Sequence, residues 1–357
     1  MEHPVSRLVL ARQASALRSS LPPGTQRVGP LSELPPLIRE FGVRPSTVLR
    51  RAGLAADSLA DRDSRVPYAA GAALLNHCAA ATGCPHFGLL AGSHWRLEHV
   101  GLPGQIAGSC ATLRGALETF TAYQWLNSSG GVAFLRRECG VTTLGYAIFE
   151  PGLDTGIDQI SDMVMAIAVR IVRELTGQPG WAPGQVFLSR KRPGDVAPYR
   201  RFFAAPVRYD AGACMLQFPS AFEATRVPHG DETRRRVLEA KLLAAGRERM
   251  LPKLHRVIRV GMLFGLTSGD EVARSMALTR RTFNRRLADY GTTFRDALET
   301  VRLDVARQLL RETELSIADI ADALGYTEPT AFVRAFRRWT NTTPGAWRQQ
   351  SELVASV

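Results

Sequence analysis

Two stretches near the end of the chain decide how it is read: EVARSMALTRRTFNRRLADYG, residues 271–291, and DIADALGYTEPTAFVRAFRRWTN, residues 319–341. They are approximate copies of one another. Val272-Ala273 matches Ile320-Ala321, and Leu278-Thr279 matches Tyr326-Thr327. After the turn the second copy carries one extra residue. Phe283 then aligns with Phe332, Arg285 with Arg334, Leu287 with Phe336 and Tyr290 with Trp339.

Each copy reads as two helices around a sharp turn. In the first, Val272, Ala273 and Met276 form an inward face, and Thr279 stands where it can cap the next helix. Phe283 and Leu287 then lie i and i+4 on one side of that helix, leaving Arg281, Arg285 and Arg286 to project elsewhere. In the second, Ile317, Ile320, Ala321 and Leu324 make the packing stripe before Gly325. Thr327 is expected to cap, with Glu328 in the positive first turn and Pro329 tolerated near the helix start.

The intervening TTFRDALETVRLDVARQLLRET keeps an i, i+3/i+4 apolar pattern through Phe294, Leu298, Val301, Val305 and Leu309. A helix of about 18 residues is about 27 Å long. Such a strut suits two reading helices held near one DNA turn apart, about 34 Å. Repetition, two turns and basic second helices together point to double-stranded DNA.

The rest of the chain sets limits. It has 357 residues, 45% hydrophobic and 22% charged, so it is long enough for two or three globular domains. Its net charge of +12 suits a polyanionic partner. No apolar run reaches membrane-spanning length, and the five cysteines are irregularly spaced. That spacing argues against a disulfide framework and for a reducing, cytoplasmic setting. Cys78, Cys84, His86, His94 and His99 fall in one stretch without close metal-ligand spacing, so no metal is expected. No cofactor is expected either. Nucleophile-elbow, Walker A and H-E-x-x-H patterns are lacking, so the chain is not read as an enzyme.

Residues 1–30 read as a loose tail and 31–225 as a mixed α/β domain. Helices are expected at 68–90, 112–127 and 158–175, and strands in GVAFLRRE, VTTLGYAIFE and QVFLSRK. PVRYDAGACMLQFP reads as a hairpin or two short strands. Residues 226–252 read as a linker or connecting helix, 253–350 as an all-α domain with two helix-turn-helix subdomains joined by a long helix, and 351–357 as a tail.

On these motifs, residues 253–350 resemble the DNA-binding domain of the AraC/XylS family of bacterial regulators. The second motif carries the resemblance most specifically, through Ala321, Leu324, Gly325, Phe332, Arg334, Phe336 and Pro344. Residues 34–222 resemble the arabinose-binding-like domain of such regulators, through LPPLIREFGV, HFGLLAG, TLRGALETFTAYQWL and APVRYDAGACMLQFPSAF. The resemblance implies sequence-specific promoter binding, a small-molecule effector, a homodimer and, for an activator, contact with RNA polymerase. A repressor of the same fold and a weakly specific nucleoid protein are the alternatives.

Within this reading Arg281, Asn284 and Arg285 are the groove candidates of the first unit, with Arg280 and Arg286 at phosphates or flanks. Thr327, Glu328, Thr330 and Arg334 are those of the second, with Arg337 and Arg338 near phosphates. For the effector, Trp95, Tyr123 and Trp125 were weighed as walls and Arg114, His94 and His99 as anchors. For all six a structural use is the better reading, a core aromatic for the first three and a solvated or locally paired side chain for the others, so pocket residues stay unassigned.

Overall fold

A computed structural model describes residues 24–148, 150, 153, 156–211, 213–245, 250–263, 268–276, 278–313 and 315–355. These form two compact units that divide between residues 248 and 249.

The first unit opens with β1 (Thr25–Arg27), α1 (Leu34–Glu40), α2 (Pro45–Arg51) and β2 (Arg65–Pro67). β1 and β2 pair antiparallel, with Gln26 opposite Val66, and Val28 and Leu31 are buried just beyond. Residues 25–31, at the end and border of the stretch expected as a tail, thus carry a strand and a helical turn; the part up to residue 23 lies outside the described residues. Then come α3 (Tyr68–Thr82) and α4 (Phe87–Ser93), one expected helix broken at Gly83, whose φ of 64° is left-handed. α5 (Leu102–Gly108) and α6 (Leu113–Tyr123) follow, the latter capped by Thr112.

The unit continues through β3 (Gly131–Glu138), β4 (Val141–Ile148), α7 (Ile157–Thr176), β5 (Gln185–Phe187), α8 (Ala197–Phe203), β6 (Val207–Arg208), β7 (Cys214–Pro219) and α9 (Glu232–Ala245). The sheet order is β3-β4-β7-β5-β6. β6 and β7 are thus not a hairpin. β5 lies between them, antiparallel to β7 and parallel to β6, because Val186 joins the backbone ladder on both sides. Helix α7 packs on this sheet and on α4. A Cβ added at Gly88 would lie 2.1 Å from the Gln159 carbonyl oxygen, and one at Gly92 2.5 Å from that of Met163. The two glycines let α4 approach the α7 backbone directly.

Also on α7, next to Met163 in the chain, Asp162 is fully buried. It pairs with Arg190 and accepts from the Tyr199 hydroxyl at 2.7 Å. Burial pushes its carboxyl up to about 7, against the opposing pull of Arg190 and Tyr199. Helix α9, in the stretch expected as a linker or connecting helix, packs on α5. Its Leu238 and Leu242 close over Ile106 and Tyr123, apolar spacing that gives the helix a buried side. No helix among the described residues is long and apolar enough to cross a membrane.

The second unit is helical: α10 (Met250–Leu263), α11 (Gly269–Ser275), α12 (Arg280–Asp289), α13 (Phe294–Glu312), α14 (Ile317–Ala323), α15 (Pro329–Thr340) and α16 (Pro344–Ala355). α16 runs into the stretch expected as a tail. α13 is the long helix anticipated between the repeats, 19 residues, or about 28 Å at 1.5 Å each. A reciprocal cap starts it: Asp296 N–H donates to Thr293 Oγ1 at 3.2 Å, and Thr293 N–H to Asp296 Oδ2 at 3.1 Å.

Candidate nucleic-acid interface

The second helix of each repeat is fixed by its buried side. Phe283 and Leu287 of α12 are buried, as are Phe332 and Phe336 of α15. α12 packs on α11 and α15 on α14, where Val272, Ala273, Ile320 and Ala321 are buried, as are Met276 and Leu324 just past those two helices. At 100° per residue, a position two away from a buried phenylalanine points about 200° from it, outward. Arg281 and Arg285 stand at those positions around Phe283, and Thr330 and Arg334 around Phe332. All four are exposed. Arg285 and Arg334 each occupy the sixth position of their helix, so the alignment of the two copies holds in three dimensions.

The remaining candidates divide by what they touch. Asn284, Glu328 and Arg337 are exposed, and Arg286 is half-buried because it falls nearer the packed side. The Arg280 guanidinium lies over the Phe294 ring at 5.6 Å and the Phe283 ring at 5.9 Å, while the residue stays exposed. Arg338 is exposed yet donates to Glu299 of α13 at 2.9 Å. Trp339 Nε1 donates to the other oxygen of that carboxylate at 3.1 Å. Burial pulls the Glu299 carboxyl up, but bonds from Trp339 and Arg295 and the charge of Arg338 outweigh it and hold it low.

The two helix starts differ. Thr279 caps α12, accepting from Thr282 N–H at 3.2 Å. Thr327 does not cap α15. Pro329 is its first helical residue, so the cap position falls on Glu328, whose side chain makes no capping bond. Thr327 and Glu328 are both exposed. The turn before α15 is held from α13 instead. Arg302 donates to the carbonyl oxygens of Leu324 at 2.9 Å and Gly325 at 3.2 Å, and its guanidinium covers the Tyr326 ring at 4.4 Å. Sequence reasoning did not single out Arg302 or Glu299; their spacing along α13 was visible, but not their partners.

The side chains weighed as sensor groups are scattered through the first unit. Trp95 lines a partly open cavity of this unit. Tyr123 packs with the α9 leucines, and Arg114 pairs with the buried Glu223 at 3.2 Å. His94 ends α4. His99 is buried, accepting Arg96 N–H through Nδ1 at 3.0 Å, and burial holds its imidazole below the usual range. Among the described residues no cluster of His, Cys, Asp and Glu has the makings of a metal site.

Residues 42–227 match the family model described as the arabinose-binding domain of AraC transcription regulators, N-terminal, and residues 272–350 match a helix-turn-helix domain model. The chain is 29% identical over 322 residues to the HTH-type transcriptional regulator VirS of Mycobacterium tuberculosis, covering 87% of this chain and 93% of VirS. It is 25% identical over 320 residues to the ornithine utilization regulator of Pseudomonas aeruginosa, covering 88% and 93%. It is also 29% identical over 106 residues to the transcriptional activator NphR of a Rhodococcus species, covering 30% and 32%.

Proposed function

The chain belongs to the AraC family of transcription regulators, a DNA-binding family, and on that premise we propose that it reads promoter DNA through α12 and α15 in successive major-groove segments. The observation that carries this is the matched outward placement of Arg285 and Arg334, each opposite a buried phenylalanine. Arginine donates in pairs to guanine O6 and N7, which makes these two the principal readers. Arg281, Asn284, Thr327, Glu328 and Thr330 complete the base-facing set. Arg280, Arg286 and Arg337 serve phosphates, and Arg338 divides its charge between Glu299 and the backbone of the DNA.

The N-terminal unit is the sensor, taking a small molecule and altering dimerisation or the action of the DNA-binding unit. The activator name borne by NphR supports activation, which requires contact with RNA polymerase. Domain limits of 31–225 and 253–350 follow from the same reading, and catalysis has no part in it.

Footprinting of the purified chain on the DNA upstream of its own and neighbouring genes tests the proposal. One short segment should be protected, with affinity falling steeply as salt rises. Equal affinity for that segment and for random DNA at the same salt would overturn sequence-specific regulation.

A further inference from the structure

The N-terminal unit holds a partly open cavity of about 110 Å³. Leu75 of α3, Leu144 of β4, and Ile160, Met163, Ile167 and Ile171 of α7 form part of its apolar wall. Among the described residues no Lys, Arg, His, Asp or Glu lines it. An engineered cavity of about 150 Å³ lined by similar side chains holds benzene, which sets the scale at a single ring.

Most polar groups in this wall are already used. The Tyr146 hydroxyl donates to Ser128 Oγ at 3.2 Å and lies 3.4 Å from the Tyr68 hydroxyl. Gln124 Oε1 accepts Ala133 N–H at 3.3 Å, and Gln26 Nε2 donates to the Arg27 carbonyl at 2.9 Å. Two donors are left over. Trp95 Nε1 and Asn127 Nδ2 are buried without a hydrogen-bond partner among the described residues, on side chains 2% and 6% exposed. The Asn127 amide is oriented by its oxygen, which accepts from Arg27 Nη1 at 3.4 Å, so its nitrogen is the end without a partner.

A buried N–H without an acceptor is costly, and a ligand oxygen would relieve it. The same donors give nothing to a cation. An anion is opposed as well: Glu150 is buried near enough to Tyr68 to help push its phenol up, alongside the larger effect of burial. A polyol would strand its hydroxyls on the aliphatic wall.

We propose that this cavity is the effector site and takes a small neutral molecule, about one ring in size, whose carbonyl oxygen accepts from Trp95 Nε1 or Asn127 Nδ2. The inference rests on the reading of the N-terminal unit as a sensor and adds the chemical class.

Calorimetry on the full chain without DNA, using acetophenone, ethylbenzene, benzoate, benzylamine and L-arabinose as probes, tests it. Acetophenone should bind about tenfold tighter than ethylbenzene, the gain expected of a hydrogen bond to a waiting donor, and tighter than the other three. Trp95→Phe keeps an aromatic wall and removes its donor; together with Asn127→Leu it should erase the advantage of acetophenone over ethylbenzene. Ala168→Phe, in the α7 wall, should abolish binding of both. Circular dichroism checks each variant, and the wild-type ranking decides alone if a variant fails to fold. Failure of acetophenone to bind, parity with ethylbenzene, or tightest binding of benzoate, benzylamine or arabinose overturns the proposal. Footprinting is read separately. A protected promoter with no acetophenone binding sinks only the ligand class, whereas acetophenone binding that leaves promoter affinity unchanged sinks the sensor reading.

Discussion

Arg338 of the second reading helix donates to Glu299 of the long helix at 2.9 Å, and Trp339 fills the other oxygen of the same carboxylate. Glu299 thus holds α15 against α13 by two adjacent residues. The first copy has Tyr290 where the second has Trp339, and Tyr290 is 41% exposed. The two copies share a plan, and in the second copy adjacent residues of α15 meet one carboxylate of α13.

That bracing separates two arginines that look alike in sequence. Arg338→Ala should lower stability, by under about 1 kcal/mol for so exposed a pair, and weaken DNA binding less than Arg337→Ala does. Thermal melts and gel-shift titrations on both variants check this. A larger affinity loss for Arg338→Ala would make its phosphate contact the dominant one.

Arg285→Ala and Arg334→Ala should each cost specific binding about 1–3 kcal/mol, about 5- to 150-fold, with helical content unchanged. Binding to random DNA should fall much less. Equal losses on specific and random DNA would reassign both residues to phosphate contact.

Phe283→Ala and Phe332→Ala should abolish binding by a different route. Each removes a fully buried ring and should cost about 3–5 kcal/mol of stability, enough to melt its subdomain. Chemical denaturation followed by circular dichroism distinguishes this from loss of a contact.

In the N-terminal unit, Arg190→Met should destabilise by about 1–3 kcal/mol at pH 7, where Asp162 can take up a proton, and by more above it, where Asp162 would stay charged and buried without its cation. The double variant Arg190→Met/Asp162→Leu should recover most of the loss. Failure of the double variant to recover would mean that packing around Tyr199, and not the stranded charge, decides the site.

His99 makes stability pH-dependent. Burial depresses its folded pKa below the unfolded value of about 6.5, and its Nδ1 must stay unprotonated to accept Arg96 N–H. The unfolded chain therefore binds the proton first. Stability from this residue is present above pH 6.5 and is lost as pH falls through the folded pKa. Melts between pH 7.5 and 5 should show a decline that is shallower in His99→Gln; identical slopes would remove His99 as the cause.

The sequence made the C-terminal reader legible because its signals are local. Phe283/Leu287 and Phe332/Phe336 repeat at helical spacing, and their outward neighbours follow from geometry. The start of α15 was misjudged by one residue because Pro329, and not Thr327, sets where the helix begins. What escaped was held by distant partners. β1 is three residues long and exists through pairing with residues 65–67. β5 separates β6 from β7 through a ladder that no neighbouring residue announces. Trp95 was visible as an aromatic, but its unpartnered N–H depends on surroundings drawn from several elements.

The glycines at 88 and 92 bear on the cavity although neither lines it. Through them α7 rests on α4 with its backbone close against the glycines, and only the short Ala166 methyl stands beside Gly92. The α7 wall of the cavity therefore acts as an anvil. A guest that is slightly too large pushes outward on the opposite walls, at α3 and β4, so whatever movement ligand binding generates begins on that side.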